Sequence, residues 1–256
     1  MTGAAKGTIL TLLANVGDAC DVYQDQALKN LKCRRVQCDE IWSFCHAKER
    51  NIPSESKGDG VGDMWTWVGI DADTKLVMSW HLGKRSREDA TAFVGDLASR
   101  IDSRTQLSTD GFGIYGAPVE RFFGSRVDYG QAVKIFSSTL TDDPNSRYSP
   151  PTIAEVVKKR ISGNPDPDCI STSFIERQNL TMRMGMRRFT RLTNAFSKKA
   201  ENLERALALH YMHYNFCRKH QTLKTTPAIA AGITDRMWTL HDIARLPEIL
   251  QDSAAA

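Results

Sequence analysis

Three acidic residues of this sequence occupy positions from which their side chains could share a metal ion. Asp39 lies within an apolar run, Asp110 precedes a glycine, and Glu176 begins a strongly basic segment. From Glu176 to Lys199 there are seven Lys or Arg and a single acid, a local net charge of +6 in a chain whose total is +4. Carboxylates are oxygen ligands that suit Mg²⁺, for which Mn²⁺ may substitute, and such ions promote displacement at phosphorus. The pattern therefore predicts a metal-dependent site that acts on a polyanion, with all three acids as catalytic metal ligands.

Of the three acids, Asp39 is the one to which a purely structural role is hardest to assign. It stands among Val, Cys, Ile, Trp and Phe, where a carboxylate is costly unless it is paired or binds a metal. Its neighbour Glu40 remains an alternative, because a shift of one residue exchanges the two faces of a strand.

The other two acids also have simpler interpretations. Asp110-Gly111 has the composition of a tight turn. Glu176 could stabilise the dipole of its own helix, with Ser171 or Ser173 as the cap. The three acids as a set favour catalysis over these separate explanations.

Basic side chains after Glu176 predict contacts with a nucleic-acid backbone. Arg183 follows Glu176 by seven residues, which at ~100° per residue brings it within about 20° of Glu176 and roughly 10 Å further along a helix. An arginine there could hold a phosphate of the substrate strand. A solvated basic face is the alternative. The residues that would extend the track are Arg187, Arg188, Arg191, Lys198 and Lys199.

The elements that must position these residues predict a mixed α/β fold. Apolar alternation predicts strands at 34–45, 64–70, 76–82, 105–110 and 125–136, with a tight turn at 71–75. Helices are predicted from Ser86, at 115–123, around Glu176 and at 198–218. This order matches the ribonuclease H-like arrangement, a mixed five-stranded sheet flanked by helices. In it Asp39 and Asp110 lie on directly paired strands, and Glu176 arrives on a helix packed across the sheet.

The chain divides into three predicted parts. Residues 1–30 indicate part of a helix-turn-helix and a linker, 31–220 the catalytic domain, and 221–256 a C-terminal helical tail. His220, near the end of the long helix, is predicted to be a packing or helix-end residue and not a catalyst. The tryptophans of the strands are predicted to be core residues: Trp42, Trp65, Trp67 and Trp80.

Bulk composition excludes several classes of protein. None of the windows in the 256 residues approaches 18 consecutive apolar residues, and a secretory signal is lacking, so the cytoplasm is the expected location. The six cysteines show no paired spacing, which predicts reduced thiols. A zinc site at Cys33, Cys38, Cys45 and His46 is disfavoured because no C-x-x-C pair occurs.

Several longer motifs occur along the chain: Cys38-Asp-Glu-Ile-Trp-Ser-Phe, Asp63-Met-Trp-Thr-Trp, Asp71-Ala-Asp-Thr-Lys, Ser108-Thr-Asp-Gly, Gly163-Asn-Pro-Asp-Pro, Ser171-Thr-Ser-Phe-Ile-Glu-Arg-Gln-Asn-Leu-Thr-Met-Arg and Tyr214-Asn-Phe-Cys-Arg-Lys-His with Thr226-Pro227 beyond it. Together they resemble the transposases of the insertion sequence one family, which belong to the wider Asp-Asp-Glu transposases and integrases. The resemblance covers about residues 3 to 245.

The resemblance implies acids at Asp39, Asp110 and Glu176, a basic residue at Arg183, and a metal-dependent enzyme that nicks element ends and joins the freed 3′-hydroxyl to target DNA. DNA would be the partner, bound by a homo-oligomer, with no organic cofactor and no membrane.

The N-terminus departs from the family pattern. The resemblance implies a zinc-binding segment and a complete helix-turn-helix at the N-terminus, and it would place Met1 inside that helix-turn-helix. Two other functions stay open at this stage. One is a nuclease or resolvase on the same fold, and the other is a DNA-binding derivative of a transposase without catalysis.

Overall fold

The computed structural model describes residues 3–56, 58, 60–137 and 152–254. Six strands carry the sheet: β1 (Arg35–Cys45), β2 (Gly62–Asp71), β3 (Val77–Gly83), β4 (Thr105–Asp110), β5 (Val127–Phe136) and β6 (Ile153–Ser162). The helices are α1 (Lys6–Ala27), α2 (Arg87–Arg100), α3 (Gly116–Phe123), α4 (Ser173–Gly185), α5 (Ala200–Met212), α6 (Pro227–Ala230), α7 (Leu240–Ala244) and α8 (Leu246–Ala254).

The strands form one mixed sheet in the order β3-β2-β1-β4-β5-β6. β1, β2 and β3 are an antiparallel meander, β4 and β5 extend it in parallel, and β6 returns antiparallel to β5. The predicted mixed α/β, ribonuclease H-like sheet is confirmed. The predicted number of five strands is wrong, because β6 is a sixth strand at the edge.

The sequence did not predict β6 as a strand, and the reason is physical. It pairs on one side only, and almost every one of its side chains is exposed. An edge strand with no buried face lacks the apolar alternation that marks a strand in sequence. The loop predicted at 137–151, apart from Ser137, lies outside the described residues.

The structure confirms the predicted tight turn at 71–75 and the predicted helix cap at Ser86. The β2–β3 turn is closed by Asp71, whose carboxylate accepts the backbone N–H of Asp73 at 3.0 Å and the Thr74 hydroxyl at 2.6 Å. Lys75 completes that turn with a φ of 62°. At the start of α2 the Ser86 hydroxyl accepts the backbone N–H of Asp89 at 3.1 Å, which is the predicted cap.

Helices cover both faces of the sheet and create two apolar cores. The α2–α3 face buries Trp67 together with Phe93 and Leu97. On the opposite face, α4 and α5 pack Ile175 and Leu207 against the sheet.

α5 leads into a π-helical turn (His213–Cys217) that covers the outer edge of β3. The fully buried side chain of Asn215 there accepts the N–H of Val77 at 3.0 Å and donates to the Val77 carbonyl at 2.8 Å. At Val77 the edge strand β3 is therefore hydrogen-bonded to an amide side chain instead of another strand.

The two termini of the described chain pack against this framework. α1 is one continuous helix, and its second half lies on α5, where the Gln24 amide donates to the carbonyl of Ala208 at 3.0 Å. Ile243 and Leu246 from α7 and α8 complete the core of the α2–α3 face. None of the described helices is long and apolar enough to cross a membrane.

Candidate active site

The pairing of β1 with β4 brings two of the predicted acids together. These strands are parallel, with Gln37 opposite Ser108. Asp39 and Asp110 lie two residues further along their strands, so their side chains point to the same face of the sheet as those of Gln37 and Ser108. β4 ends at Asp110, whereas β1 continues to Cys45. Beyond Asp39 the β4 side of β1 therefore has no described strand beside it, up to the bridge between Cys45 and Ser197.

Helix α4 is positioned by a residue of β1. The Gln37 side-chain oxygen accepts the backbone N–H groups of Phe174 at 2.8 Å and Ile175 at 3.2 Å, two of the donors that a helix leaves free at its start. Ser171, one of the two alternative caps, accepts the backbone N–H of Ser173, the first residue of α4, at 3.2 Å. The next two N–H groups are thus capped from β1, two residues before Asp39, which fixes the first turn of α4 next to that carboxylate.

Each predicted acid has a defined hydrogen-bond partner. Asp39 accepts the side-chain amide of Asn179, on α4, at 2.9 Å. Asp110 accepts the backbone N–H of Phe112 at 2.9 Å, as a turn would require. Glu176, in the first turn of α4, accepts from the hydroxyl of Thr172 and from the ammonium of Lys134 on β5.

The three carboxylates line one cavity. It has a volume of about 520 Å³ and is bounded by the ends of β4 and β5 and by the start of α4. Arg85 and Lys134 line it as well, so cations face the carboxylates across the same space. Three separated segments of the chain thus contribute the predicted acids to a single opening.

Burial and neighbouring carboxylates disfavour the negative charge of Asp39. Burial, followed by the charges of Glu40 and Asp110, raises the pKa of Asp39 from its ordinary value of 3.8 to about 7. Asp39 and Glu40 point to opposite faces of β1, since their cross-strand partners Val68 and Trp67 belong to different cores.

Glu40 has its own partner on the α2–α3 side. Its side chain is 1% exposed and forms an ion pair with Arg85 at 3.1 Å. Burial raises the pKa of Glu40, and the neighbouring Tyr115 hydroxyl and Arg85 lower it. Of the two adjacent acids, Asp39 lines the cavity that Asp110 and Glu176 share.

The basic residues of the predicted track divide into two groups. Arg183 and Arg191 line a concave surface next to the carboxylate cavity. The other residues that line it are Lys48, Trp42, Trp65 and the paired acid Glu40. Arg187 and Arg191 line a further open concavity with Lys48. Exposed Arg187 and Arg191 and half-buried Arg183 therefore border one continuous basic region that extends from Asp39 along α4.

The remaining members of the track lie elsewhere. Arg188 turns inward and donates to the Ser197 hydroxyl at 2.6 Å, so its charge serves the packing of the α4–α5 connection. Lys198 and Lys199 are exposed just after Ser197, which pairs with Cys45 at the end of β1.

Comparison with known proteins gives limited information. The chain matches no family model and no curated protein sequence. Among solved structures it is similar to the Mos1 strand transfer complex at 12% identity, with 96% of this chain and 61% of that chain covered and a TM-score of 0.34. The piggyBac transposase synaptic complex with hairpin DNA is similar at 12% identity, with coverages of 92% and 57% and a TM-score of 0.37. The Mos1 transposase paired-end complex with left transposon end shows 15% identity, coverages of 43% and 40% and a TM-score of 0.23. This chain thus spans only part of each matched chain.

The donor set fits a divalent cation in kind and in charge. Asp39, Asp110 and Glu176 supply carboxylate oxygens only, which is the ligand type that Mg²⁺ and Mn²⁺ take. The raised pKa of Asp39 marks negative charge that a cation would stabilise. As the side chains stand, however, the described part of the chain contains no group of three or more His, Cys, Asp or Glu that could hold one ion. Glu176 is neutralised by Lys134 instead.

Several residues of the site were missed by sequence reasoning. Gln37, Lys134 and Asn179 contact an acid or its helix through partners more than 40 positions away. Only Asn179 carried a usable signal, because three residues after Glu176 it falls on the same helix face.

The tryptophan prediction is wrong in part. Trp67 is fully buried, but Trp42 and Trp65 are half-buried and carry cations over their rings. The Lys48 ammonium lies 5.5 Å from the Trp42 ring, and the Arg85 guanidinium 4.7 Å from the Trp65 ring. These rings border the basic region and are accessible from it.

Proposed function

We propose that this chain is a metal-dependent DNA strand transferase of the insertion sequence one type, which cleaves at transposon ends and joins the ends to target DNA. The observation that carries the proposal is the shared cavity of Asp39, Asp110 and Glu176, delivered by β1, β4 and α4. The basic region beside it and the motif resemblance support DNA as the substrate.

The side chains of the cavity have distinct tasks in this proposal. Asp39, Asp110 and Glu176 would hold Mg²⁺, which when bound activates the attacking oxygen and stabilises the leaving oxygen. Asn179 fixes the orientation of Asp39, and Gln37 fixes α4. The residues that would bind backbone phosphates are Arg183, Arg187, Arg191, Lys198 and Lys199.

Two displacements at phosphorus follow. A water oxygen first attacks the phosphodiester at the transposon end, the bond from phosphorus to O3′ breaks, and O3′ leaves as a hydroxyl after taking up a proton. That hydroxyl then attacks a phosphodiester of the target, forms a new P–O bond, and displaces the O3′ of the target strand. Both reactions need the same arrangement, a phosphate held between carboxylates and cations.

The test compares isosteric variants of the acids on labelled duplexes that carry the inverted repeats flanking the gene. Asp39→Asn, Asp110→Asn and Glu176→Gln should each abolish Mg²⁺-dependent cleavage. Asp102→Asn is the control and should keep it, since Asp102 is exposed and does not line the cavity. Glu40→Gln tests the alternative first acid. An intact rate in any of the first three would contradict the assignment of that acid, and loss of cleavage in Glu40→Gln alone would identify Glu40 as the first acid.

A DNA-binding protein without turnover is the second candidate. The contact of Lys134 with Glu176 favours it, because an ammonium already neutralises the third acid. This candidate predicts salt-sensitive DNA binding with no product in Mg²⁺ or Mn²⁺. A nuclease or resolvase would instead give hydrolysis products without strand-transfer joints.

A further inference from the structure

A second pocket lies on another flank of α4, away from the carboxylates. It has a volume of about 360 Å³ and opens between α4, the β2–β3 turn and the segment that follows the π-helical turn. Arg177 contributes from α4, Lys75 from the β2–β3 turn, and Arg218, Lys219 and His220 from the segment after Cys217. The last three belong to the Tyr214–His220 motif, to which the catalytic proposal assigns no task.

The pocket is strongly and uniformly basic. None of the residues that line it is acidic, whereas Lys75, Arg177, Arg218 and Lys219 are all cations. Within the described ranges, none of these four forms an ion pair with a carboxylate. The carboxylates of Asp71 and Asp73 partly offset the charge of Lys75. Arg177, Arg218 and Lys219 repel one another around the opening, and an anion bound between them would relieve that repulsion.

Two side chains that line the pocket carry nitrogen atoms without a protein partner among the described residues. Gln178 is 3% exposed, and its side-chain Nε2 has no partner. His220 Nδ1 is likewise buried without a partner, and its tautomer determines whether it donates or accepts. A buried amide without a partner costs free energy, which a ligand oxygen that accepts from it would offset.

The chain holds these groups in place without a ligand. The backbone N–H of His220 donates to the carbonyl of Thr225 at 2.8 Å, and the His220 carbonyl accepts from Lys224 at 2.9 Å. Lys75 occupies the closing position of a tight turn, and its ammonium lies 3.3 Å from the centroid of the Phe174 ring. A preorganised site loses less entropy when it binds.

We propose that this pocket binds a phosphate group of a DNA backbone, at a site separate from the catalytic carboxylates. Arg177, Arg218 and Lys219 are exposed at the opening, where a polymer can pass, while Gln178 lines the pocket with an amide nitrogen that has no partner in the described part of the chain. Arg177 follows Glu176 directly, so the two side chains leave α4 about 100° apart. DNA held here would lie against a different side of α4 from the strand at the carboxylates. The inference rests on the proposed function only in taking DNA as the ligand.

The test measures the salt dependence of binding to a fluorescent duplex of arbitrary sequence, with EDTA present so that no cleavage occurs. Loss of one phosphate contact should lower the slope of log K against log salt by about 0.9. Arg177→Gln and Arg218→Gln should each show this loss. Arg121→Gln removes an exposed arginine of α3, across the sheet, and should keep the wild-type slope. Wild-type slopes in both pocket variants would overturn the proposal, as would an equal loss in the Arg121 control.

Two further measurements guard against a misleading result. Lys219→Gln removes an exposed cation of the pocket, so this variant should fold even if another pocket variant unfolds. Its salt slope of DNA binding should also fall. Inorganic phosphate is the second probe. If it binds the wild type tightly while all pocket variants keep the wild-type DNA slope, the pocket takes free phosphate and the DNA assignment is wrong.

Failure of this inference is distinguishable from failure of the proposed function. Pocket variants with a reduced DNA slope support the site even if the protein cleaves nothing. Strand-transfer joints formed in Mg²⁺, together with unchanged slopes in the pocket variants, support the strand transferase and reject the pocket.

Discussion

Replacing Asp39 by asparagine should stabilise the protein while it removes activity. The pKa of Asp39 rises from 3.8 to about 7 in the folded chain, chiefly through burial and the charges of Glu40 and Asp110. At ~1.36 kcal/mol for each pH unit, this corresponds to an upper bound on the order of 4 kcal/mol of folded-state destabilisation above about pH 7. Asp39 is partly accessible from the cavity, so water relieves some of this cost, and we expect Asp39→Asn to gain about 1–3 kcal/mol.

The direction of the Asp39 pKa shift determines how the free energy of unfolding changes with pH. Below about pH 4 the Asp39 carboxyl is protonated in both the folded and the unfolded chain and contributes nothing. Between about pH 4 and pH 7 the folded chain binds more protons, so the wild-type free energy of unfolding falls as pH rises. The gain of Asp39→Asn over wild type should therefore be small at about pH 4.5 and complete at about pH 8.

The assay is urea unfolding in EDTA at both pH values, followed by tryptophan fluorescence. Asp102→Asn removes an exposed carboxylate outside the cavity and is the control, with no expected gain at either pH. Equal effects of Asp39→Asn at the two pH values would refute the reasoning, as would a net destabilisation at about pH 8.

A divalent cation should offset the stability that Asp39→Asn gains over the wild type. Mg²⁺ at about 100 times its Kd should stabilise the wild type by about 2.7 kcal/mol near pH 8 and leave Asp39→Asn unchanged. The same stabilisation of both proteins would show that the ion binds elsewhere.

Three further predictions concern contacts seen only in the fold. Asn179→Ala removes the amide that orients Asp39, and we expect the rate of Mg²⁺-dependent cleavage to fall about 10- to 100-fold with an unchanged circular dichroism spectrum; a wild-type rate would show that Asp39 needs no support. Asn215→Leu leaves the buried N–H and C=O of Val77 unpaired, so the free energy of unfolding in urea should fall by about 2–4 kcal/mol, and a negligible loss would contradict the role given to this contact. Arg187→Gln should lower the salt slope of DNA binding by about 0.9 in an anisotropy titration, and an unchanged slope would exclude a backbone contact there.

Sequence patterns predicted the parts of this fold that depend on local chemistry. The alternation in β1 placed Asp39 and Glu40 on opposite faces, and the acidic turn at 71–75 and the Ser86 cap were both readable. The expected pairing of β1 with β4 then made Asp39 and Asp110 neighbours. These features follow from residues close together in sequence or from the small number of ways in which strands can be connected.

Only the tertiary structure decided which groups surround the acids. Lys134 reaches Glu176 from 42 positions away, Gln37 caps α4 from 137 positions away, and no local pattern marks either side chain for its partner. The basic pocket beside α4 likewise combines Lys75 with Arg218, which are distant in sequence and meet only when the sheet and α5 are packed. A periodic pattern specifies the face on which a side chain lies, but the charge that it meets there depends on how separate segments dock, and docking is determined by the whole chain.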